Sequence, residues 1–354
     1  MKVGIIGASF AKAAYLPALR HVEGAEVVAI SSARLSSAQA AAAAFGVPHA
    51  YDDWRHMLNS HHLDLVCIAT PTVTHADMTI AALDAGAHVL CEKPTAMNAA
   101  EAKAMLDKAE ALGRVHMIDH ELRFNPNRRK VKALVDGGAI GTVRHVAVSN
   151  VVSAYGDPAS RAKGDWWSLA SEGGGRLGAN GSHQVDLLRW WFGEVAAVDG
   201  IVRTMVPDRL CKTTGEPWTA DADDFTSFNL EMASGPLVQV LISAVARHAL
   251  DNTTQIFGSE GTIMLHNTGE KLLFAKAGES FQEVQVEDPN AALPGLNPGI
   301  WNVSVVGVMR ELAAAIREKR QPREGATFWD GWRNQLVLDA VIESSRERRW
   351  VSLG

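Results

Sequence analysis

The stretch "KVGIIGASFAKAAYLPAL", residues 2–19, changes its hydrophobic period in the middle. The residues before Gly7 form a short apolar run, and those after it have the composition of a helix. A strand, a glycine turn and a helix in this order make the unit that opens a helix-covered parallel sheet. The stretch therefore predicts that the chain starts with a strand–turn–helix unit of an α/β domain.

The first third of the chain repeats this alternation of strands and helices. Its further apolar runs are "EVVAIS" (26–31), "LDLVCIAT" (63–70), "HVLCEK" (88–93) and "VHMID" (115–119). Near-continuous apolar strands separated by helical segments indicate a parallel sheet with both faces covered. Asn98, with Glu101 three residues later, is typical of a capped helix N-terminus.

The pattern changes after about residue 121, where long connections replace regular helices. The segment "FTSFNLEM" (225–232) alternates apolar and polar residues, which is typical of an antiparallel sheet with one open face. The residues that share its apolar face are Phe228, Leu230 and Met232. We therefore expect an α/β fold. It has an N-terminal Rossmann domain at 1–121 and a C-terminal α/β domain with a large, mostly antiparallel open sheet at 122–354. A C-terminal helix can pack back on the first domain.

Composition limits the class of protein. The chain has 354 residues, 47% of them hydrophobic and 21% charged, which suits a globular protein of two domains. A formal net charge of -6 gives no electrostatic basis for binding nucleic acid or an anionic membrane. No apolar run is long enough to cross a bilayer, and a strand that begins at residue 2 leaves no room for a signal peptide. We expect a cytoplasmic protein.

Cysteines, histidines and acidic clusters provide little support for a metal site. Cys67, Cys91 and Cys211 lack metal-type spacing and indicate reduced core thiols. The acidic segment "DADD" (221–224) fits a solvated turn better than a cation site. We therefore expect no bound metal.

The glycine turn after the first strand lies where a dinucleotide pyrophosphate would meet backbone N–H groups. Gly7 holds the first position of the glycine fingerprint, whereas Ser9 and Lys12 occupy the second and third. Such a sequence also fits a plain strand–helix turn, so both interpretations stay open on this stretch alone.

The end of the second strand bears on the choice of cofactor. Ser32 stands near the place where an NAD enzyme usually has a carboxylate for the ribose 2′-hydroxyl, and Arg34 follows two residues later. A guanidinium pairs well with a 2′-phosphate, which favours NADP(H). The alternative is a solvated loop arginine with no role in binding.

Five segments occur in a recognisable order along the chain. They are "HVLCEKPTAM" (88–97), "RFNPNRRKVKALVDGGAIGTVRHV" (123–146), "GGGRLGANGSHQVDLLRWWFG" (173–193), "GSEGTIML" (258–265) and "DGWRNQLVLDAVIESSRERRWV" (330–351). Together they resemble the Gfo/Idh/MocA oxidoreductases, the relatives of glucose–fructose oxidoreductase and inositol dehydrogenase.

The resemblance implies an active site between the two domains, at the carboxyl ends of the Rossmann strands. Lys93 matches the family's active-site lysine, whose ammonium can donate to a substrate oxygen. His183 matches the histidine that exchanges a proton as hydride moves. The positions implied for the cofactor are Gly7, Ser9, Phe10, Ala11, Ser32, Arg34, Thr70, Pro71, His75, Glu92 and Lys93.

Two positions depart from the family pattern. Ala179 stands where many relatives have an aspartate four residues before the histidine, and Ser168 stands where relatives often have an arginine. The positions implied for substrate are Asn180, Asp186, Arg123, Trp166 and Trp167. Asp186 also fits a carboxylate favoured by the helix dipole, and either tryptophan also fits ordinary core.

The expected function is hydride transfer between NAD(P), with NADP(H) preferred, and a carbon of a sugar, polyol or keto-sugar. By resemblance, the C-terminal sheet also makes a homodimer or homotetramer. The alternative, from another class, is a sensor of the same fold that binds NAD(P) without turnover. The retained Lys93 and His183 favour the enzyme, because a sensor needs no proton transfer.

Overall fold

A computed structural model describes residues 1–266, 270–297 and 299–354. Its helices are α1 (Ala8–Ala13), α2 (Tyr15–Leu19), α3 (Leu35–Phe45), α4 (Trp54–Ser60), α5 (His75–Asp84), α6 (Ala99–Ala111), α7 (Pro126–Asp136), α8 (Ser182–Phe192), α9 (Ile300–Glu318) and α10 (Phe328–Glu347). None of these described helices has both the length and the apolar content needed to span a membrane.

The strands include short pieces at the sheet edges. They are β1 (Lys2–Ile6), β2 (Glu26–Ser31), β3 (His49–Tyr51), β4 (Leu65–Ile68), β5 (His88–Cys91), β6 (His116–Ile118), β7 (Val143–Val151), β8 (Val195–Arg203), β9 (Asp208–Leu210), β10 (Pro217–Thr219), β11 (Phe225–Met232), β12 (Leu237–Ser243), β13 (Thr253–Gly258), β14 (Gly261–His266), β15 (Lys271–Lys276), β16 (Gln282–Glu283) and β17 (Val351–Ser352).

The chain divides into two compact units. The first comprises Met1–Asn125 and Asp288–Arg333, and the second comprises Pro126–Glu287 and Asn334–Gly354. The predicted boundary after residue 121 lies four residues before this division. The predicted second domain also included residues 288–333, which belong to the first unit because α9 packs into the core of that unit.

The first unit is built on a parallel sheet with the strand order β3-β2-β1-β4-β5-β6. Alternate strand residues enter two separate cores, so that Leu65 and Cys67 pack with α1–α3 and α9, while Val66 and Ile68 pack with α4–α6. This arrangement confirms the predicted Rossmann fold, and it explains why the strands are almost continuously apolar. The predicted cap is also present, since the Asn98 side chain accepts from the Glu101 N–H at 2.9 Å.

The second unit is built on a nine-stranded sheet with the order β16-β15-β14-β13-β7-β12-β11-β8-β17. Its strand pairs are antiparallel except for β7 with β12. The apolar face predicted for β11 is buried, while Glu231, Leu237 and Ile201 are exposed on the sheet. The structure thus confirms a large, mostly antiparallel sheet.

A buried histidine ties the start of α10 to the Rossmann sheet. His116 of β6 accepts the Phe328 N–H on its Nδ1 at 3.0 Å, and its ring stacks on the Phe328 ring with centroids 4.8 Å apart. Burial lowers the pKa of His116 to about 4, although the carboxylate of Asp330 opposes the shift. The folded protein therefore keeps this imidazole neutral through the mildly acidic range.

This histidine should make the first unit sensitive to acid. The unfolded chain takes up the proton near pH 6.5 and the folded chain only near pH 4, so stability is lost as pH falls between these values. We expect a loss of about 2 kcal/mol by about pH 5. His116→Asn keeps an acceptor for the Phe328 N–H but cannot titrate. Its free energy of unfolding, measured with urea at about pH 7.5 and pH 5, should therefore not show this loss. Equal pH dependence of the two proteins would contradict the assignment.

Candidate active site

The turn between β1 and α1 brings two backbone segments unusually close. Gly7 has φ +102°, and a Cβ on this residue would lie 2.0 Å from the carbonyl oxygen of Ala69. Glycine is therefore required on both conformational and steric grounds. Because Gly7 has no side chain, it also leaves the start of α1 without a side-chain cap, which is what a phosphate group needs at this position. The residues present fit a dinucleotide.

The predicted cofactor residues after β4 and β5 meet at the same sheet edge. His75, at the start of α5, places Nε2 3.0 Å from the Thr70 carbonyl oxygen and Nδ1 2.9 Å from the Pro94 carbonyl oxygen. Burial lowers the pKa of His75, while the two carbonyls oppose the shift. This imidazole joins the loop that contains Thr70 and Pro71 to the loop that contains Lys93.

A buried acidic cluster includes Glu92, the residue before Lys93. The Tyr15 hydroxyl donates to Oε1 of Glu92 at 2.7 Å, and the Lys93 N–H approaches Oε2 of Glu92 at 3.3 Å. Asp119, fully buried after β6, lies close to Glu92 and Glu121. Burial first, and then these carboxylates, raise the pKa of Asp119 well above its usual range. The surroundings of Asp119 therefore favour its protonated form more than water does.

The sequence motifs did not reveal this cluster. Tyr15 and Asp119 lie 104 residues apart and meet only through the strand order, since Asp119 follows β6 while Tyr15 begins α2. Phe10, a predicted cofactor residue, packs edge-on against Tyr15 with ring centroids 5.4 Å apart. An acidic residue at the end of an otherwise apolar strand was the available signal.

The remaining predicted cofactor residues differ in exposure. Ser9 is exposed, whereas the Ala11 side chain lies in the core, where only its backbone can face a ligand. Ser32 follows β2 and is half-buried, and its N–H donates to the Tyr51 carbonyl at 3.0 Å. Arg34 is exposed at the N-cap position of α3.

Arg123 has protein partners within the first unit. Its guanidinium pairs with Asp330 at 2.9 Å and donates to the Gly325 carbonyl at 3.1 Å. Both side chains of the pair are largely buried, so the pair anchors the segment that leads into α10. A role for Arg123 in binding substrate remains a prediction.

In the second unit, His183 and Asp186 are buried on one face of α8, three residues apart. Asn180 and the buried Ala179 lie in the π-helical turn Leu177–Gly181, which runs directly into α8. π-turns often occur where a helix presents functional residues. The predicted substrate residues of this segment are thus held on a single continuous helical stretch.

The loop around Trp166–Ser168 in the second unit, the tryptophan loop, is held by ring stacking and a buried hydrogen bond. Trp166 and Trp167 are half-buried and stacked, with ring centroids 4.1 Å apart. Ser168 is buried and accepts from Nη1 of Arg209 at 2.7 Å. Ser168 therefore belongs to a buried network of the second unit.

The acidic segment 221–224 is only partly the solvated turn that was predicted. Asp221 is exposed, but Asp224 is fully buried and pairs with Arg209 at 3.2 Å. Asp224 also accepts from the N–H groups of Met205 and Val206. Among the described residues, no group of three or more histidine, cysteine or carboxylate side chains is arranged to hold a metal.

Comparison with known proteins identifies the family. Residues 1–120 match the oxidoreductase family with an NAD-binding Rossmann fold, and residues 128–264 match the GFO/IDH/MocA C-terminal domain. The chain belongs to the Gfo/Idh/MocA oxidoreductase family. It is an NAD(P)-dependent dehydrogenase of that family.

Relatives cover nearly the whole chain. Levoglucosan dehydrogenase from Pseudarthrobacter phenanthrenivorans is 28% identical over 92% of this chain and 88% of its own. D-apiose dehydrogenase from Paraburkholderia graminis is 28% identical over 99% of this chain and 89% of its own. A solved structure of levoglucosan dehydrogenase with NADH and levoglucosan has a TM-score of 0.88 at 28% identity, covering 100% of this chain and 99% of that one.

The close approach at Gly7 can be tested against a matched glycine. Gly24 also has a positive φ, +74°, but nothing lies within 4 Å of a Cβ built there. We expect Gly24→Ala to cost about 1 kcal/mol from backbone strain alone, and Gly7→Ala to cost about 3 kcal/mol because overpacking adds to strain. Thermal unfolding and NADH fluorescence titration measure both effects. If the two variants behave alike, the turn is not the constraint described.

Proposed function

We propose that this family member transfers hydride between NAD(P) and a carbon of a sugar, polyol or keto-sugar. The observation that carries the proposal is the position of Lys93, two residues after β5 at the sheet edge where Gly7, Thr70 and His75 lie. The names of the relatives, levoglucosan dehydrogenase and D-apiose dehydrogenase, support a sugar-like substrate.

The turn at Gly7 and the loops that contain Thr70 and Lys93 would hold the dinucleotide, whose nicotinamide would supply or accept the hydride when bound. Lys93 donates a hydrogen bond to the substrate oxygen and stabilises its developing negative charge. His183 takes the hydroxyl proton during oxidation and returns it during reduction. Asn180, Asp186, Arg123, Trp166 and Trp167 complete the proposed substrate contacts, the two tryptophans through their apolar faces.

Removal of the two reacting groups tests the proposal. We expect His183→Ala and Lys93→Ala each to lower kcat by a factor of about 10² to 10⁴, while NADPH still binds, because proton transfer and charge stabilisation act on the transition state. The assay follows NAD(P)H absorbance over a panel of sugars, inositols and keto-sugars. His248→Ala, an exposed histidine, is the matched control.

Two results would contradict the enzyme proposal. Full turnover by His183→Ala would remove the role given to that histidine. Tight NADPH binding by the wild type, with no turnover on any panel member, would favour the non-catalytic sensor. Ala179 and Ser168, the two expected departures from the family's site, are the observation in favour of that alternative.

We further propose a preference for NADP(H). Arg34 is exposed at the start of α3, and no carboxylate in the described ranges forms an ion pair with it. Ser32 adds a hydroxyl where a carboxylate would repel a 2′-phosphate. The guanidinium is therefore available for charge-assisted hydrogen bonds to that phosphate.

The cofactor preference has a direct test. A charge-assisted bond contributes about 1.5–3 kcal/mol, so Arg34→Ala should weaken NADPH binding by roughly ten- to a hundredfold and NADH binding little. Ser32→Asp should move the preference toward NAD. Calorimetry at one fixed salt concentration measures both, with the exposed Arg20→Ala as control. Wild-type affinity for NADH that equals or exceeds that for NADPH would overturn the assignment.

The assembly and location are proposed on separate grounds. The sheet of the second unit exposes Ile201 and Leu237, which supports a homodimer or homotetramer formed through that sheet. All three cysteines are buried and none forms a disulfide, which supports a reducing, cytoplasmic compartment.

A further inference from the structure

The helix that carries His183 does not begin as a regular α-helix. The π-helical turn Leu177–Gly181 precedes α8 without a break, and the Ser182 hydroxyl donates to the Gly178 carbonyl at 2.6 Å. A π-turn changes the register of every side chain that follows it. The direction of the His183 ring therefore depends on how this turn is held at its start.

Asp223 holds the start of the turn from a separate segment of the unit. Its Oδ2 accepts from the N–H of Leu177 at 2.9 Å and from the N–H of Arg176 at 3.0 Å. The Asp223 carbonyl oxygen also accepts from the Arg176 N–H at 3.0 Å. These contacts satisfy N–H groups that the first turn of a helix leaves without partners.

The preceding glycine fits around the same carboxyl group. Gly175 has φ +112°, and a Cβ on it would lie 2.1 Å from Oδ1 of Asp223. Residue 175 must therefore be a glycine, because any side chain there would overlap the carboxyl group of Asp223. Gly175 and Asp223 together cap the start of the helical segment that contains His183.

The turn that Asp223 caps leads directly to His183. The residue four positions before the histidine is the buried Ala179, whose side chain carries no polar group. We propose that Asp223 is the positioning residue for His183, which it orients by capping the turn that precedes α8. Its catalytic consequence rests on the proposed function, but its effect on the histidine does not.

The surroundings of Asp223 give the cap a pH dependence. Arg176 is the nearby cation, and Tyr155 and Arg161 face Arg176 in turn. The neighbouring carboxylate of Asp224 is engaged by Arg209. Desolvation raises the pKa of Asp223 to about 6, against the opposing N–H bonds and the charge of Arg176.

The sign of this dependence follows from the ionised form. A carboxylate accepts stronger hydrogen bonds than a neutral acid does, so the cap is firmest above about pH 6 and weakens below it. The placement of His183 should weaken over the same range. The protein is therefore expected to lose activity on the acid side of about pH 6.

The first measurement needs no turnover. In protein labelled with ¹³C-histidine, we expect the His183 resonance, assigned with His183→Gln, to show an inflection near pH 6 from Asp223. Asp223→Asn should shift this resonance and remove the inflection. Asp221→Asn is the matched control, because Asp221 is exposed and accepts from the Ala170 N–H. It should leave the position of the His183 resonance and its inflection unchanged.

The second measurement is kinetic. Asp223→Asn should lower kcat by about ten- to a hundredfold and leave the KM for the cofactor unchanged, because a misplaced base costs rate rather than binding in the other unit. Asp223→Glu should recover part of the rate and the acid limb of the pH profile. A loss of stability alone would not lower kcat while leaving the KM for the cofactor unchanged.

The outcomes separate the two proposals. If the His183 resonance responds to Asp223→Asn no more than to Asp221→Asn, the positioning role is wrong, whatever the activity. If the resonance responds as expected but the wild type turns over no substrate, the positioning role stands and the proposed function fails. If Asp223→Asn does not fold, Asp223→Glu makes the same comparison, because its longer side chain moves the carboxylate relative to the N–H groups of Arg176 and Leu177.

Discussion

The contact between the backbone at Gly7 and the carbonyl of Ala69 is the constraint around which the first unit is organised. The Gly7 N–H donates to the Ser31 carbonyl at 2.8 Å, while the Ala69 N–H donates to the Ile6 carbonyl at 2.7 Å. The end of β1 is thus held from both neighbouring strands, with no space for a Cβ. This geometry brings the ends of β1, β2 and β4 to one edge, and the cofactor fingerprint follows from it.

The same edge contains several ionisable groups that are removed from water. Tyr15, Glu92 and Asp119 are all buried. Burial is the largest cause of the raised pKa values of Tyr15 and Asp119, and neighbouring carboxylates add to it. Two adjacent buried carboxylates repel each other, and this repulsion adds to burial in raising the pKa of Asp119. Strongly shifted groups of this kind gather at functional sites, because a reaction needs them more than the fold does.

The second unit places its polar groups differently. Arg209 is almost fully buried, pairs with Asp224, donates to Ser168 and lies over the Tyr155 ring at 4.3 Å from its centroid. These contacts join the loop around Trp166 and Trp167 to the β9–β10 region. Ser168 suits this network, because its short hydroxyl side chain accepts from Nη1 of Arg209 at 2.7 Å.

Local sequence patterns were sufficient for the fold class, the Gly7 turn and the Asn98 cap, whereas the roles of Lys93 and His183 came from the family resemblance and remain predictions. These features depend on residues close together in the chain, where periodicity, φ preference and motif order act directly. Tertiary structure alone decided the Tyr15–Glu92–Asp119 cluster, the pairing of Arg123 with Asp330 and the burial of Asp224. Those groups come from distant segments, so their partners, and with them their charge and burial, depend on strand order and on helix packing that no local pattern encodes.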